Sequence, residues 1–316
     1  MSTASFLTHG GALLYGLTGR DAGLSAVANI VRAQPTAVPP SQCNATNRPG
    51  EKRKASAARE LENVSVALAN TLLHLQDSFH TRGFLVKRHA GLTALIERDP
   101  YRVAPFLANQ FYAPNYDIRV RLDILDVLVA GARCLALMRR GGRDTPPRRN
   151  ILGTCGVVVR KSKSARKNAR SSAANCFRHF SSAFIAPFVV QKTVCPPTLD
   201  PVLLARLVGA LGIFSELAWA EPASHRLFRV LLETVLWPVR GHRDVGVRRA
   251  VLHTFFRLFA SLSRVRLREV CEEMFGGARG GTLGAWLWAV QEEDTDAECR
   301  VVSSHLLRVC KRCADA

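Results

Sequence analysis

Apart from one basic interruption, residues 60–313 are a succession of apolar-striped segments separated by short breaks rich in Gly, Pro or Ser. Val64, Leu68, Leu72 and Leu75 share one stripe, with Val66, Ala69 and Leu73 beside it. That spacing predicts a helix with one buried face. Gly83 closes it, and a second helix is expected over 84–97, stopped by Asp99-Pro100. A short one follows over 101–111, around Pro105, and after the turn at Ala113-Pro114-Asn115 the strongest is expected over 117–138. Gly141-Gly142 and Pro146-Pro147 end that helix. Beyond Cys176 the helical segments are 199–219, 222–238, 243–261, 264–275, 282–291 and 295–313. No stretch alternates as a strand would; Val157-Val158-Val159 is too short, and its surroundings are charged and rich in Ser. Helices of this length with short breaks predict an all-α, HEAT-like helical-repeat solenoid, an α-α superhelix.

A recurring opening supports the repeat. Asp117 and Arg121, Asp244 and Arg248, and Asp296 and Arg300 each begin a helix with acid and base four residues apart, followed by apolar positions. An Asp in the first turn can accept from free backbone N–H groups and complements the helix dipole. The Arg one turn later pairs with it, or with the Asp of the adjacent repeat. Four regions follow: a poorly ordered N-terminal segment and linker (1–58), helical repeats (59–138), a basic disordered linker (139–175) and C-terminal helical repeats (176–316).

Charge matters only for its distribution. The chain carries 44 Lys and Arg against 25 Asp and Glu, a net charge of +19. Residues 139–178 hold twelve of the bases and one acid, Asp144, so +11 sits in that segment and the remainder is mildly basic. Nine cysteines, an odd number without regular spacing, read as free thiols in a reducing compartment. The most apolar stretch, 201–220, carries Arg206 and Glu216 and reads as a core helix, with no membrane span expected.

No constellation for turnover emerges. The Gly276–Gly281 run has glycines but no Lys-Ser/Thr and no preceding strand. The single CxxC, Cys310 to Cys313, lacks a second pair for zinc, and with Cys299 it falls on one helical face, as core thiols would. His74, His89, His225, His253 and His305 stand without an acid and nucleophile in register. Trp219, Trp237, Trp286 and Trp288 read as packing anchors. The sequence therefore predicts a non-enzyme with no catalytic, metal or cofactor residues. In the basic segment, Arg148 and Arg149, a ten-residue gap, then Arg160, Lys161 and Lys163 match a bipartite nuclear import pattern. The same bases are open to nucleic acid, in which case binding would fall steeply with salt.

The segment from Gln110 to Leu128, QFYAPNYDIRVRLDILDVL, resembles the signature block of the telomere length regulation protein family. Ser65 to Leu75, with its Leu-His-Leu, and Asp294 to Cys310 are similar to two further family stretches. The resemblance runs over most of the chain, as the C-terminal region of a longer protein. It implies a curved stack of helical repeats acting as a non-catalytic co-chaperone scaffold. The implied partners are the solenoid subunits Tti-one and Tti-two, together with heat-shock protein 90 and its adaptor assembly. The clients would be phosphatidylinositol-3-kinase-related kinases, whose folding and assembly support telomere maintenance, DNA-damage and growth signalling in cytoplasm, nucleus and telomeric chromatin. The family's acidic linker to the adaptor has no counterpart here, since 34–58 is basic and Pro-rich. Within the block, Phe111, Tyr112 and Tyr116 would wedge the bend, while Ile124, Leu125 and Leu128 would be core. Arg119 and Asp126 are the expected partner contacts, with Asn115, Tyr116, Arg121 and Asp123 beside them. The alternative is a helical-repeat protein binding telomeric DNA through its basic linker.

Overall fold

The computed structural model describes residues 28, 29, 31, 32, 64–78, 80–138, 175–190, 199–218, 229–262, 265, 267–269 and 281–314. Among them the fold is all-α, without a β-strand. The helices are α1 (Val64–His74), α2 (Phe84–Arg98), α3 (Pro100–Phe111), α4 (Ile118–Leu137), α5 (Ser181–Val190) and α6 (Pro201–Ala218). After them come α7 (Trp237–Val239, entered through a π-helical turn at Leu232–Leu236), α8 (Val245–Ser261), α9 (Gly281–Glu293) and α10 (Ala297–Ala314).

Local chemistry sets the ends. Asp99 receives no helical continuation because Pro100 restricts the residue before it. Its N–H still bonds to Leu95 O at 2.8 Å, and its own carbonyl accepts from Val103 N at 3.0 Å. α2 and α3 are thus joined through one residue. Ser65 of α1 fixes this corner from a third side, donating to the buried Asp99 Oδ2 at 2.8 Å.

Successive packing defines two layers. In one, α2 packs on α4, α4 on α6, α6 on α8, and α8 on α10. In the other, α3 packs on α4 and α5, α5 on α6, and α9 on α10. This is in keeping with the helical-repeat architecture expected. The core between the layers is aliphatic with Phe at the crossings: Phe177, Phe184 and Phe214 meet with ring centroids 5.0 to 6.3 Å apart. Where α2 meets α4 the Ile96 side chain packs directly over Gly131; a Cβ at Gly131 would lie 2.5 Å from Ile96 Cγ2.

Several readings of the sequence change here. Residues 176–190, given no helix, form a 3-10 turn (Cys176–Phe180) and α5; Pro187 masks the helical spacing of Phe177, Phe180, Phe184 and Phe188. The short helix that 1–33 has room for is present at 28, 29, 31 and 32, with Ala28 and Val31 buried and Arg32 paired with Glu97 at 3.1 Å. Asn175, at the end of the basic segment, accepts from Phe177 N and donates to Leu217 O at 2.7 Å. Trp237 and Trp286 pack together with centroids 6.5 Å apart, whereas Trp288 is 59% exposed and anchors nothing in the core. α6 is long and apolar enough to cross a membrane by length and composition. It lies between α4 and α8, however, burying Leu203, Leu204, Leu207, Leu211 and Phe214, as a core helix does. The remainder of the basic segment, with Arg148, Arg149, Arg160, Lys161 and Lys163, lies outside the described residues, as does the 276–280 glycine run. The described residues that flank the basic segment lie together: Cys176 Sγ donates to Met138 O at 3.2 Å.

Candidate protein-interaction surface

The three Asp–Arg openings have one geometry. Asp117 Oδ1 accepts from Val120 N at 2.8 Å, Asp244 Oδ1 from Val247 N at 3.2 Å, and Asp296 Oδ2 from Cys299 N at 2.9 Å. The arginines do not pair with these capping carboxylates. Side chains on a helix lean toward its N-terminus, which carries each guanidinium past the cap to the loop before it. Arg121 donates to Tyr116 O at 3.1 Å and Ala113 O at 3.0 Å. Arg248 donates to His242 O at 3.0 Å and Arg243 O at 2.9 Å, and Arg300 to Asp294 O at 2.6 Å. The expected alternative, the capping Asp of the adjacent repeat, is not realised: Arg248 instead holds Asp294, two residues before the cap Asp296, through bonds of 2.8 and 2.9 Å. Both groups are largely buried, and the Arg248 hydrogen bond holds the Asp294 carboxyl below the usual carboxylate range. Hydrogen bonding from Arg249, and then from Cys299 N, does the same to Asp296.

Every junction along the row α2–α4–α6–α8–α10 carries a cross-helix ion pair. Arg88 meets Asp123 between α2 and α4, with His89 Nε2 3.5 Å from the same carboxylate. Asp126 meets Arg206 at 2.8 Å between α4 and α6. Glu216 meets Arg257 at 2.7 Å between α6 and α8. Arg249 and His253 meet Glu298 at 3.1 and 2.8 Å between α8 and α10, and Arg249 also meets Asp296. The pairs at the two middle junctions are exposed, and such pairs contribute only about 0.2–1 kcal/mol each. Their interest lies in position, since they line the face of the row. Beside them α4, α6 and α8 enclose an open groove of about 590 Å³. A second depression, about 570 Å³ and more open, lies between Tyr116–Arg121 and Leu199–Leu203.

The signature-block residues divide into two groups. Tyr116 is buried; its hydroxyl shares a hydrogen bond with His74 Nε2 at 2.9 Å, and burial raises its pKa. Tyr116, Arg121 and Asp123 are thus occupied inside the fold. Asn115 and Arg119 face solvent, and Asp126 is half-exposed but engaged by Arg206. Sequence reasoning missed Arg206, Glu216, Arg257 and Asp294, because partners 41 to 80 residues apart leave no local spacing to read. The histidines are also better connected than their isolation in sequence suggests, His253 and His89 each reaching a carboxylate.

Cys299 and Cys310 are buried, as expected of core thiols. Burial, then Asp296, pushes the Cys299 thiol up to about 12; burial, then Glu97, pushes Cys134 up to about 11. Neither is a ready thiolate at neutral pH. Among the described residues no three His, Cys, Asp or Glu side chains are grouped to hold a metal ion.

A family model described as "Telomere length regulation protein" matches residues 52–132, from upstream of α1 into α4. The chain is 31% identical to the human telomere length regulation protein TEL2 homolog over 293 residues, covering 82% of this chain and 34% of that protein. It is 31% identical to the mouse counterpart over 83% of this chain and 34% of that one, and 30% identical to the Xenopus laevis counterpart over 78% and 32%. The chain belongs to the telomere length regulation family. It spans about a third of the length of these curated relatives. No solved structure matches it at a significant level. In this telomere length regulation chain the family-model span contains the Ser65–Asp99 corner, the Arg88–Asp123 pair and the Asp117–Arg121 opening.

Proposed function

We propose that the chain is a non-catalytic scaffold, a co-chaperone subunit that promotes folding and assembly of phosphatidylinositol-3-kinase-related kinases and through them telomere length regulation. The observation that carries this reading is family membership across most of the chain, joined to a row of five helices that offers a long, mixed-charge face. Such a face suits other proteins better than a small molecule, because both depressions are open and neither gathers a convergent set of acid, base and nucleophile. On this reading the partners are Tti-one, Tti-two and the heat-shock protein 90 machinery, and the chain works in cytoplasm and nucleus.

Tagged chain expressed in cells should co-precipitate the two Tti subunits, and its depletion should lower the steady-state level of the kinases without changing their transcripts. Recovery of neither Tti protein would overturn the reading. Retention of telomeric duplex DNA that is lost on deleting residues 139–174 would favour the nucleic-acid alternative instead.

A further inference from the structure

We propose that the groove between α4, α6 and α8 seats an acidic amphipathic helix of a partner protein; this names the partner chemistry for the scaffold reading and rests on it. The floor is apolar and low. It includes Ala205, Gly209 and Ala250, and a Cβ built at Gly209 meets nothing within 4 Å, so the space above it is open. Small residues let a docking helix approach to the 8–10 Å axial distance at which helices interlock. Val202, 60% exposed at one side, supplies apolar surface that such a helix would cover.

The rim gives the sign of the partner. Arg133 from α4, Arg206 from α6 and Arg257 from α8 all line the groove, with His253 beside them; its acids are Asp126 and Asp244. Asp244 uses its Oδ1 on Val247 N as a helix cap. Arg133 is exposed and forms no ion pair among the described residues. Arg206 and Arg257 do have partners, Asp126 and Glu216, but all four side chains are 42–58% exposed. Pairs so wet are held weakly, so carboxylates on an incoming helix can take over the two guanidinium groups with little loss. Three arginines on three helices then fix both position and direction of the bound helix, as planar forks do for carboxylates.

The test uses the full 316-residue chain and a fluorescein-labelled synthetic helix with a Leu/Ala stripe flanked by Glu, against a version with every Glu replaced by Lys, read by fluorescence anisotropy. The Glu peptide should bind and the Lys peptide should not. Arg133→Glu combined with Arg206→Glu should weaken binding roughly tenfold or more. Asp126→Asn, which releases Arg206, should tighten it roughly two- to fivefold, a gain that misfolding cannot produce. Arg308→Glu, on the exposed side of α10 outside the groove, should change nothing. Absence of binding, equal loss from Arg308→Glu, no gain from Asp126→Asn, or displacement of the peptide by duplex DNA with the same arginine dependence would each overturn the proposal. If the wild-type chain still retains the Tti subunits while the peptide fails, only the groove assignment falls. If it retains neither Tti subunit, the scaffold reading itself falls.

Discussion

Replacing Gly131 by Ala tests the close packing of α4 on α2. An added Cβ would stand 2.5 Å from Ile96 Cγ2 and 3.0 Å from both Ile96 Cβ and Cδ1. Carbon atoms pack at about 3.5–4.0 Å, so one partner has to move by about 1 Å. Ile96 is fully buried and β-branched, which fixes its first side-chain torsion against the α2 backbone. The strain therefore passes to the α2–α4 spacing, where overpacking costs about 1–3 kcal/mol. Ala in place of Gly inside a helix returns about 1 kcal/mol, leaving a net loss of about 1 kcal/mol with an upper bound near 2. Urea unfolding followed by far-UV circular dichroism reads this directly. The sharper measurement is a double-mutant cycle. Ile96→Ala alone costs about 2–5 kcal/mol, but in that background the methyl of Gly131→Ala enters the vacated space, so the substitution should stabilise. Gly209→Ala, with nothing within 4 Å, should stabilise by about 0.5–1 kcal/mol. The same sign for Gly131→Ala in both backgrounds would refute the reasoning.

Three further outcomes are expected. Asp294, its folded pKa lowered by Arg248, contributes stability that is present above the unfolded value near pH 4 and vanishes as pH falls through the folded value. Asp294→Asn should thus unfold at lower temperature at neutral pH and converge on wild type in strong acid; a gap that stays constant down to the acid limit would contradict this. Asp117→Ala should lose about 1 kcal/mol by removing the α4 cap, with Asp117→Asn retaining most of it, and equal losses in denaturant melts would argue against capping. Ser65→Ala leaves the buried Asp99 carboxylate without that donor and should cost about 1–3 kcal/mol, more than Arg206→Ala at the exposed pair. The reverse order in the same melts would mean that the corner is not held by that bond.

The helices from α2 to α4 were legible because each has an apolar stripe and a Gly or Pro stop, and α4 also has its Asp cap; α1 was legible from its stripe alone, and it ends at His74, well before the expected stop at Gly83. α5 was not, because Pro187 and a run of Phe replace the usual Leu spacing, and its place is set by Phe184 packing on Phe177 and Phe214 across the core. The Asp–Arg openings could be read as a recurrence, and the cap half of their chemistry holds in all three. The arginine half differs because side-chain direction, which sequence spacing omits, points the guanidinium at loop carbonyls. Least legible was the face of the row. Glu216 and Arg257 look like ordinary solvated charges in one dimension, and only the packing of α6 on α8 makes them neighbours.

Because the thiol of Cys176 touches the carbonyl of Met138, the residues on either side of 139–174 meet at nearly one point of the stack. A detour with coincident ends can lengthen or change composition at a closure cost that rises only with the logarithm of its length. Residues 139–174 are thus a position where charge, addressing signals or recognition sequences can be exchanged between relatives while the helices on either side keep their stacking.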